Sequence, residues 1–479
     1  MKSARSVRRF FDAKNALLAV TLSVAMTAAA ATTFSTLANF AGGNGANPYA
    51  DGLVQGVDGN FYGTTQRGGA HTSGTVFKVT PSGAITTLYS FCSLANCADG
   101  AFPIAGLILA TDGNFYGTTF GSGGTSGFGT AFKITPTGTL TTLYTFCSQK
   151  NCKDGSEPAA PLVQATDGNF YGATELGGVM NRGAVFKITP AGVHTTLYSF
   201  CAQANCADGT KPVGGLIQAS DGNLYGTTEF GGTGSQGTVF QITTTGTLTT
   251  LHNFSLGDGG DPQGALVQAS DGTFYGTTGQ GGTHNAGTVF NITSAGSLTT
   301  LYNFCSQTNC ADGSGPVAGL ILGTDGNFYG ATYQGGLNSN FGTAFQITAG
   351  GTLTSLHTFT GSDGARPFGS LTQATNGTFY GTTYDHGSHS DGTVFSVSTG
   401  LGPFIESVPA SGKVGTAVVI LGNNLTGTTS VTFNGTAAKF KVISSTEIKT
   451  AVPTGATTGS IVVTTPTGTL TSNVPFTVM

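Results

Sequence analysis

Asp58-Gly-Asn-Phe-Tyr-Gly-Thr-Thr65 decides how this chain is read, because the phrase returns six more times, around Tyr116, Tyr171, Tyr225, Tyr275, Tyr329 and Tyr380. Successive tyrosines stand 54, 55, 54, 50, 54 and 51 residues apart, a period that marks a repeat architecture. Each unit holds four stretches rich in Tyr, Phe, Val, Ile and Thr, at residues 105–110, 114–119, 129–135 and 140–146 in the second unit. Turn signals separate them. Asp112-Gly113 reads as a two-residue hairpin turn, whose central positions both tolerate positive φ. Gly123-Gly124 opens the next loop, and Thr137-Gly138 joins the third stretch to the fourth.

Four antiparallel strands per unit of about 50 residues is the sheet of a β-propeller blade. The seventh unit stops after its third strand, near Gly392 to Val397, and the missing fourth-strand sequence stands at the other end of the array as Phe34-Ser-Thr-Leu-Ala-Asn-Phe40. Pairing the two would close a ring and remove unpaired strand edges. The expected fold is therefore all-β, a seven-bladed β-propeller over residues 32–400 whose N-terminal strand closes the last blade. After Gly402 the repeat ends. Residues 403–479 carry short alternating strands at close spacing, the pattern of a small Ig-like β-sandwich.

Charged residues are only 8% of the 479, and Gly accounts for 77. Large apolar residues nevertheless recur at fixed offsets in every unit, which a disordered Gly-rich tract does not show. Residues 1–31 read as an export signal, with Lys2, Arg5, Arg8, Arg9 and Lys14 ahead of a small apolar run ending near Ala30 or Ala31. Arg8-Arg9 partly matches a twin-arginine signal, but Asp12 interrupts it, so ordinary secretion is expected. Of the 18 basic and 22 acidic residues, five and one lie in this segment; removal leaves thirteen and twenty-one, a net charge of −8. Nucleic acid and anionic membrane are thereby excluded as expected partners. No membrane span is expected after signal removal, and the chain is expected to be a monomer.

All eight cysteines occur as C-x4-C pairs: Cys92/Cys97, Cys147/Cys152, Cys201/Cys206 and Cys305/Cys310. Units without the pair are also four residues shorter at that place, as at residues 254–262 and 359–367. A disulfide pinching the longer loop accounts for both facts, in keeping with export. A thiolate metal site is the competing reading, although no nearby His or second pair sits at ligand spacing.

The Asp-Gly-Asn-Phe-Tyr-Gly-Thr-Thr, Gly-Gly and Gly-Thr-Val-Phe-Lys-Ile-Thr elements resemble the choice-of-anchor "GloVer" tandem-repeat family of secreted bacterial proteins over residues 34–399. The resemblance implies a secreted or surface protein and transfers no activity to any residue. Residues 403–479 resemble an IPT/TIG immunoglobulin-like domain through Pro409, Gly412, Gly415-Thr416, Gly422, Phe433-Asn434-Gly435, Val452-Pro453 and Gly459. That resemblance implies a spacer or binding module.

Several residue sets could carry chemistry. The hairpin positions Asp58, Asp112, Asp167, Asp221, Asp271, Asp325 and Asn376 are explained by turn chemistry. A second set, Asp99, Asp154, Asp208, Asp258, Asp312 and Asp363 with Asn44, lies in the linkers, where calcium or ligand contact competes with an Asx turn; Asp258-Gly-Gly-Asp261 is its densest carboxylate pair. The repeated tyrosines would suit sugar stacking if exposed, but repetition in every unit favours packing between blades. Only the seventh unit departs chemically: Asp385, His386, His389 and Asp391 form the one candidate metal loop, against plain drift in a solvated loop. No nucleophile elbow, zinc-protease motif or P-loop is present, and no cofactor is expected. The Gly-Gly loops and the disulfide loops are expected to share one rim, the candidate binding face. A non-catalytic secreted or cell-surface binding or scaffold protein is the expected function, with an extracellular glycan or cell-surface protein as partner. The alternative is an extracellular polysaccharide hydrolase or lyase with its site in the central pocket, which paired carboxylates converging at the pocket mouth would favour.

Overall fold

The repeated Phe-Tyr-Gly-Thr-Thr segment forms the second strand of its unit, Phe115–Thr119 in the second, and all five residues are buried. The third strand, Thr130–Ile134, is nearly as enclosed. Neither shows the alternation of a sheet with one wet face, because each sheet is covered on both sides. At the strand ends buried hydroxyls pair with one another: the Thr119 and Thr130 hydroxyls lie 2.9 Å apart, and Thr65 and Thr75 repeat the contact at 2.8 Å. Gly117 makes room for the core, since a Cβ there would stand 2.8 Å from the Phe132 ring and from the Leu107 side chain.

The computed structural model describes residues 32–49, 52–124, 127–337 and 340–479; the export-signal expectation on residues 1–31 lies outside them. Among the described residues the repeats form seven four-stranded antiparallel sheets. The first runs Val54–Gln55, Phe61–Thr65, Thr75–Val79, Ile85–Ser90, and five more follow in the same order. The seventh sheet contains Thr372–Gln373, Phe379–Thr383 and Thr393–Ser398, and takes its fourth strand from Thr33–Asn39. Phe34 is opposite Val397 and Asn39 opposite Thr393, the pairing expected from the two ends of the array.

Three recurrent contacts tie neighbouring sheets together, the glycine–proline approach at every junction and the other two at most of them, and all three also join the seventh sheet to the first. The repeated Tyr stacks on the next unit's Phe, as Tyr62 on Phe115 at 4.1 Å and Tyr116 on Phe170 at 4.0 Å, and Tyr380 meets Phe61 at 4.1 Å. Such pairs are each worth about 1 kcal/mol beyond the area they bury. The tyrosines are accordingly packed between sheets, as their repetition suggested. Gln164 Oε1 accepts Thr111 N at 2.9 Å, and Gln55 Oε1 accepts Thr375 N at 2.9 Å. Gly129 has positive φ, and a Cβ on it would lie 2.7 Å from Pro158 Cδ; Gly392 faces Pro48 in the same way at 2.8 Å.

Two local expectations are corrected. The innermost strand is only two residues long, Ile108–Leu109 in the second sheet, rather than 105–110. The inner segments crowd one another there: Thr64 Oγ1 donates across to Ala105 O at 3.0 Å, and a Cβ on Gly264 would lie 2.6 Å from Gly319 N. The Asp-Gly hairpin is also not a two-residue turn. Gly113 N donates to Ala110 O at 2.9 Å, Ala110 N donates to Asn114 O at 2.9 Å, and only Gly113 has positive φ. This is the three-residue loop in which a type I turn is followed by a left-handed glycine.

All four disulfides close within their own loops: Cys92–Cys97, Cys147–Cys152, Cys201–Cys206 and Cys305–Cys310. After the repeats, Glu406–Val408, Ala417–Leu421, Glu447–Ala451 and Phe440–Val442 form one sheet, and Thr436–Ala437, Ser430–Phe433, Ile461–Thr465 and Gly468–Thr471 another. The two enclose a single core that includes Ile405, Ile420, Phe433, Ile448, Ile461 and Phe476. This unit rests on hairpin ends of the first and seventh sheets. Phe404 N donates to Thr375 O at 3.0 Å, Asn423 Nδ2 to Thr375 Oγ1 at 2.7 Å, and Thr446 Oγ1 to Val57 O at 2.7 Å. Among the described residues no helix is long and apolar enough to cross a membrane.

Candidate functional site

Every unit carries a proline in the linker that leads into its innermost strand, and the residue before it has positive φ in all seven: Asn47, Phe102, Glu157, Lys211, Asp261, Gly315 and Arg366. Such a backbone is costly for any side chain but Gly, so the loop must hold it in place. It does so from both sides. Lys211 N donates to Arg182 O of the preceding unit at 2.9 Å, and Lys211 O accepts Glu229 N at 2.9 Å from the loop after its own second strand. Glu157 and Glu175 repeat that second bond at 3.0 Å, and Asp261 and Gly279 at 2.9 Å. The residue before Pro is thus fixed beside the residue that follows Tyr-Gly-Thr-Thr.

The residues after the seven prolines, Tyr49, Ile104, Ala159, Val213, Gln263, Val317 and Phe368, all line one cavity of about 260 Å³, together with Glu175, Lys211 and Glu229. Here the repeats differ most. Units three to five line the cavity with Glu175, Lys211, Glu229 and Gln263, with Glu157 and Asp261 close behind, whereas units seven and one line it with Phe368 and Tyr49, against which Tyr333 and Tyr384 pack. On the aromatic side, Phe368 is the hub. Tyr49 stacks on it at 4.5 Å, Tyr333 lies tilted at 4.5 Å and Tyr384 meets it edge-on at 5.3 Å. Arg366 lies over the Tyr333 ring at 5.7 Å.

The opposite side is electrostatically strained. Lys211 Nζ pairs with Glu175 at 2.8 Å, and this bond raises the lysine's pKa. The remaining acids have no cation of their own. Burial, with Asp261 close by, pushes the Glu229 carboxyl up to about 7. Burial also raises Asp261, although Gln263 Nε2 donates to it at 3.0 Å and Gln280 Nε2 at 3.3 Å. Glu157 is raised by burial and by Glu175. Asp261 thus helps to raise Glu229, and near neutrality the Glu229 carboxyl is partly protonated. This is the environment of an acid poised for proton transfer or of a polar site awaiting a ligand.

Apart from Asp261, the sequence-derived candidates are elsewhere. Five of the hairpin aspartates accept from their own unit's tyrosine hydroxyl, as Asp112 from Tyr116 at 2.9 Å and Asp167 from Tyr171 at 2.8 Å, with Asp58 and Asp325 alike at 2.9 Å and Asp221 at 2.8 Å completing that pattern. Asn376 bonds Tyr380 at 3.2 Å. The linker aspartates are consumed inside their loops. Asp99 is fully buried and accepts from Tyr89 OH at 2.8 Å, Ser93 N at 2.9 Å and Leu94 N at 3.1 Å. In two of the three cystine-free loops a histidine replaces that tyrosine, His252 on Asp258 at 2.9 Å and His357 on Asp363 at 2.8 Å. The metal loop does not gather into a ligand set. Asp385 is held by Arg366 at 2.9 Å and by His386 Nδ1 at 2.9 Å, while His389 is exposed and meets Ser388 Oγ at 2.8 Å. Asp391 contributes its backbone carbonyl to Asn47 N at 2.8 Å. Among the described residues no three His, Cys, Asp or Glu groups come together as a metal site.

The expected rim is real, since Gly178 N donates to Cys152 O and Gly232 N to Cys206 O, both at 2.9 Å. The cavity was expected only as the central pocket of the hydrolase alternative, and the residues lining it were not named. This sparsely charged chain nevertheless places Glu175 and Glu229 in the cavity lining. The available signal was to superpose the seven units and ask where charged and aromatic residues replace one another.

The sequence profile of the Gloeobacter/Verrucomicrobia repeat matches residues 23–153, 146–311 and 302–471. No curated protein sequence matches the chain. Solved structures similar to it include a protein of Bacteroides fragilis assigned as a 6-phosphogluconolactonase (21% identity, 68% of this chain and 88% of that one, TM-score 0.43). The periplasmic gluconolactonase PpgL of Pseudomonas aeruginosa is another (15% identity, 71% and 97%, TM-score 0.41). Likeness at this level carries no activity over to this chain.

Proposed function

The chain belongs to the Gloeobacter/Verrucomicrobia repeat family, and from that premise we propose that it is an exported binding protein that holds a saccharide in the cavity ringed by its seven post-proline residues. In this reading the seven sheets are the blades of a seven-bladed β-propeller, and residues 403–479 are an Ig-like module of the IPT/TIG kind. One observation carries it: an aromatic arc centred on Phe368 faces a carboxylate arc centred on Glu229 across a cavity of about 260 Å³. Aromatic faces take the C–H face of a sugar ring, and carboxylates and amides accept from its hydroxyls. Family membership and the four disulfides support export.

A second reading has its own support. A carboxylic acid lifted to about 7 beside a second carboxyl is what a general acid for glycosidic cleavage requires. A glycan array probed with the secreted protein, with reducing-sugar release measured in parallel, separates the two. Under the binding reading, Phe368→Ala loses the array signal at least tenfold and no sugar is released. Release that disappears in Glu229→Gln establishes the hydrolase, and array binding unaffected by Phe368→Ala refutes this site for either reading.

A further inference from the structure

A second cavity, of about 320 Å³, lies at the hairpin end of the innermost strands, where the C-terminal unit covers the first, second and seventh sheets. Its walls are aliphatic: Val54, Leu107, Ile108 and Leu109 from the repeats, Val408 and Leu421 from the C-terminal unit. The polar groups of the lining are already engaged within the repeats, Gln55 with Thr375 N at 2.9 Å and Thr372 Oγ1 with Leu53 O. Glu406 is the one residue of the lining that can carry a charge. No hydrogen bond or ion pair joins its carboxyl to another described residue; Lys449 on the same sheet is occupied with Glu447 at 3.5 Å. Burial alone raises its pKa. Glu406 is half-buried, so an ionised carboxylate there gives up part of its hydration to aliphatic walls, a cost that a cation offsets.

We propose that this cavity is a second binding site, distinct from the saccharide cavity, which takes a short aliphatic primary ammonium group with its charge on Glu406 and its carbon chain against Leu107, Leu109 and Leu421. A divalent metal does not suit it, because one carboxylate cannot supply the six or more oxygens such an ion takes. A wholly apolar guest would leave the carboxylate without water or partner. An alkylammonium answers both the charge and the walls.

Calorimetry on the intact exported protein tests the site with n-butylammonium and, as the neutral probe of similar size, 1-pentanol. Wild type is expected to bind butylammonium with a dissociation constant of roughly 1 mM. Glu406→Gln, close to isosteric, should weaken that binding at least tenfold and leave pentanol within twofold. Leu109→Phe, which fills the cavity and spares the carboxylate, should weaken both probes if its melting temperature shows that it folds. Equal butylammonium affinity in wild type and Glu406→Gln would overturn the proposal, as would no heat of binding at about 20 mM amine. Phe368→Ala is expected to leave butylammonium binding unchanged.

Discussion

Glu229 and Asp261 lie 32 positions apart in the chain, and the fold puts them together because one follows Tyr-Gly-Thr-Thr in unit four and the other precedes the proline of unit five. Their raised pKa values mean that the folded state prefers them protonated. Stability from Glu229 is therefore complete below its ordinary pKa of about 4.5 and is lost as pH rises through about 7. Glu229→Gln should stabilise the protein on the order of 1 kcal/mol at pH 8, allowing for solvent screening, and leave it unchanged at pH 4. Urea unfolding at the two pH values checks this; equal effects at both would deny the raised Glu229 pKa. The site was illegible in sequence for a physical reason. Its members occupy positions where the scaffold imposes backbone conformation and no particular side chain, so no motif marks them, whereas Gly117 and Tyr116 recur because packing demands them.

At the scale of the element, the cystine loops show two devices acting together. The Cys147–Cys152 bridge closes a loop that Asp154 already holds from within, accepting Tyr144 OH at 2.7 Å, Ser148 N at 2.8 Å and Gln149 N at 3.2 Å while fully buried. Removing so short a bridge costs about 2 kcal/mol in the chain-entropy picture. Truncating Asp154 strands several part-buried donors, at about 1 kcal/mol for each. Asp154→Ala should therefore destabilise more than the paired Cys147→Ser, Cys152→Ser change, by denaturant melts at pH 7; the reverse order would mean that the bridge is the principal anchor. The coming and going of cysteines with loop length made the bridges legible in sequence. The substitution of His252 and His357 for the tyrosine partner was not, because it appears only once the aspartate is seen to be the hub. His194 is another misfit that only packing reveals. It takes a position where Leu140 and Leu248 stand in other units, stacks on Tyr144 at 4.2 Å, and burial presses its pKa down to about 4.

For the whole molecule, the contacts that join neighbouring sheets also join the last to the first, through Tyr380 on Phe61, Gln55 on Thr375 and Gly392 against Pro48. The strand Thr33–Asn39 completes the seventh sheet, so deleting residues 32–40 exposes the edge of Thr393–Ser398 along its length. That deletion is expected to lower the melting temperature sharply and to produce aggregates by light scattering; a soluble variant melting with wild type would refute the closure. This much was readable from the two ends of the repeat array, whereas the short innermost strands were not, since crowding near the centre is a property of the assembled sheets. The central claim concerns what occupies that centre. A crystal of the mature protein soaked with the best oligosaccharide from the array tests it most directly: sugar density between the Phe368 ring and the Glu229 and Gln263 side chains is expected, and density only on the outer surface or on residues 403–479, with this cavity holding solvent alone, would contradict it.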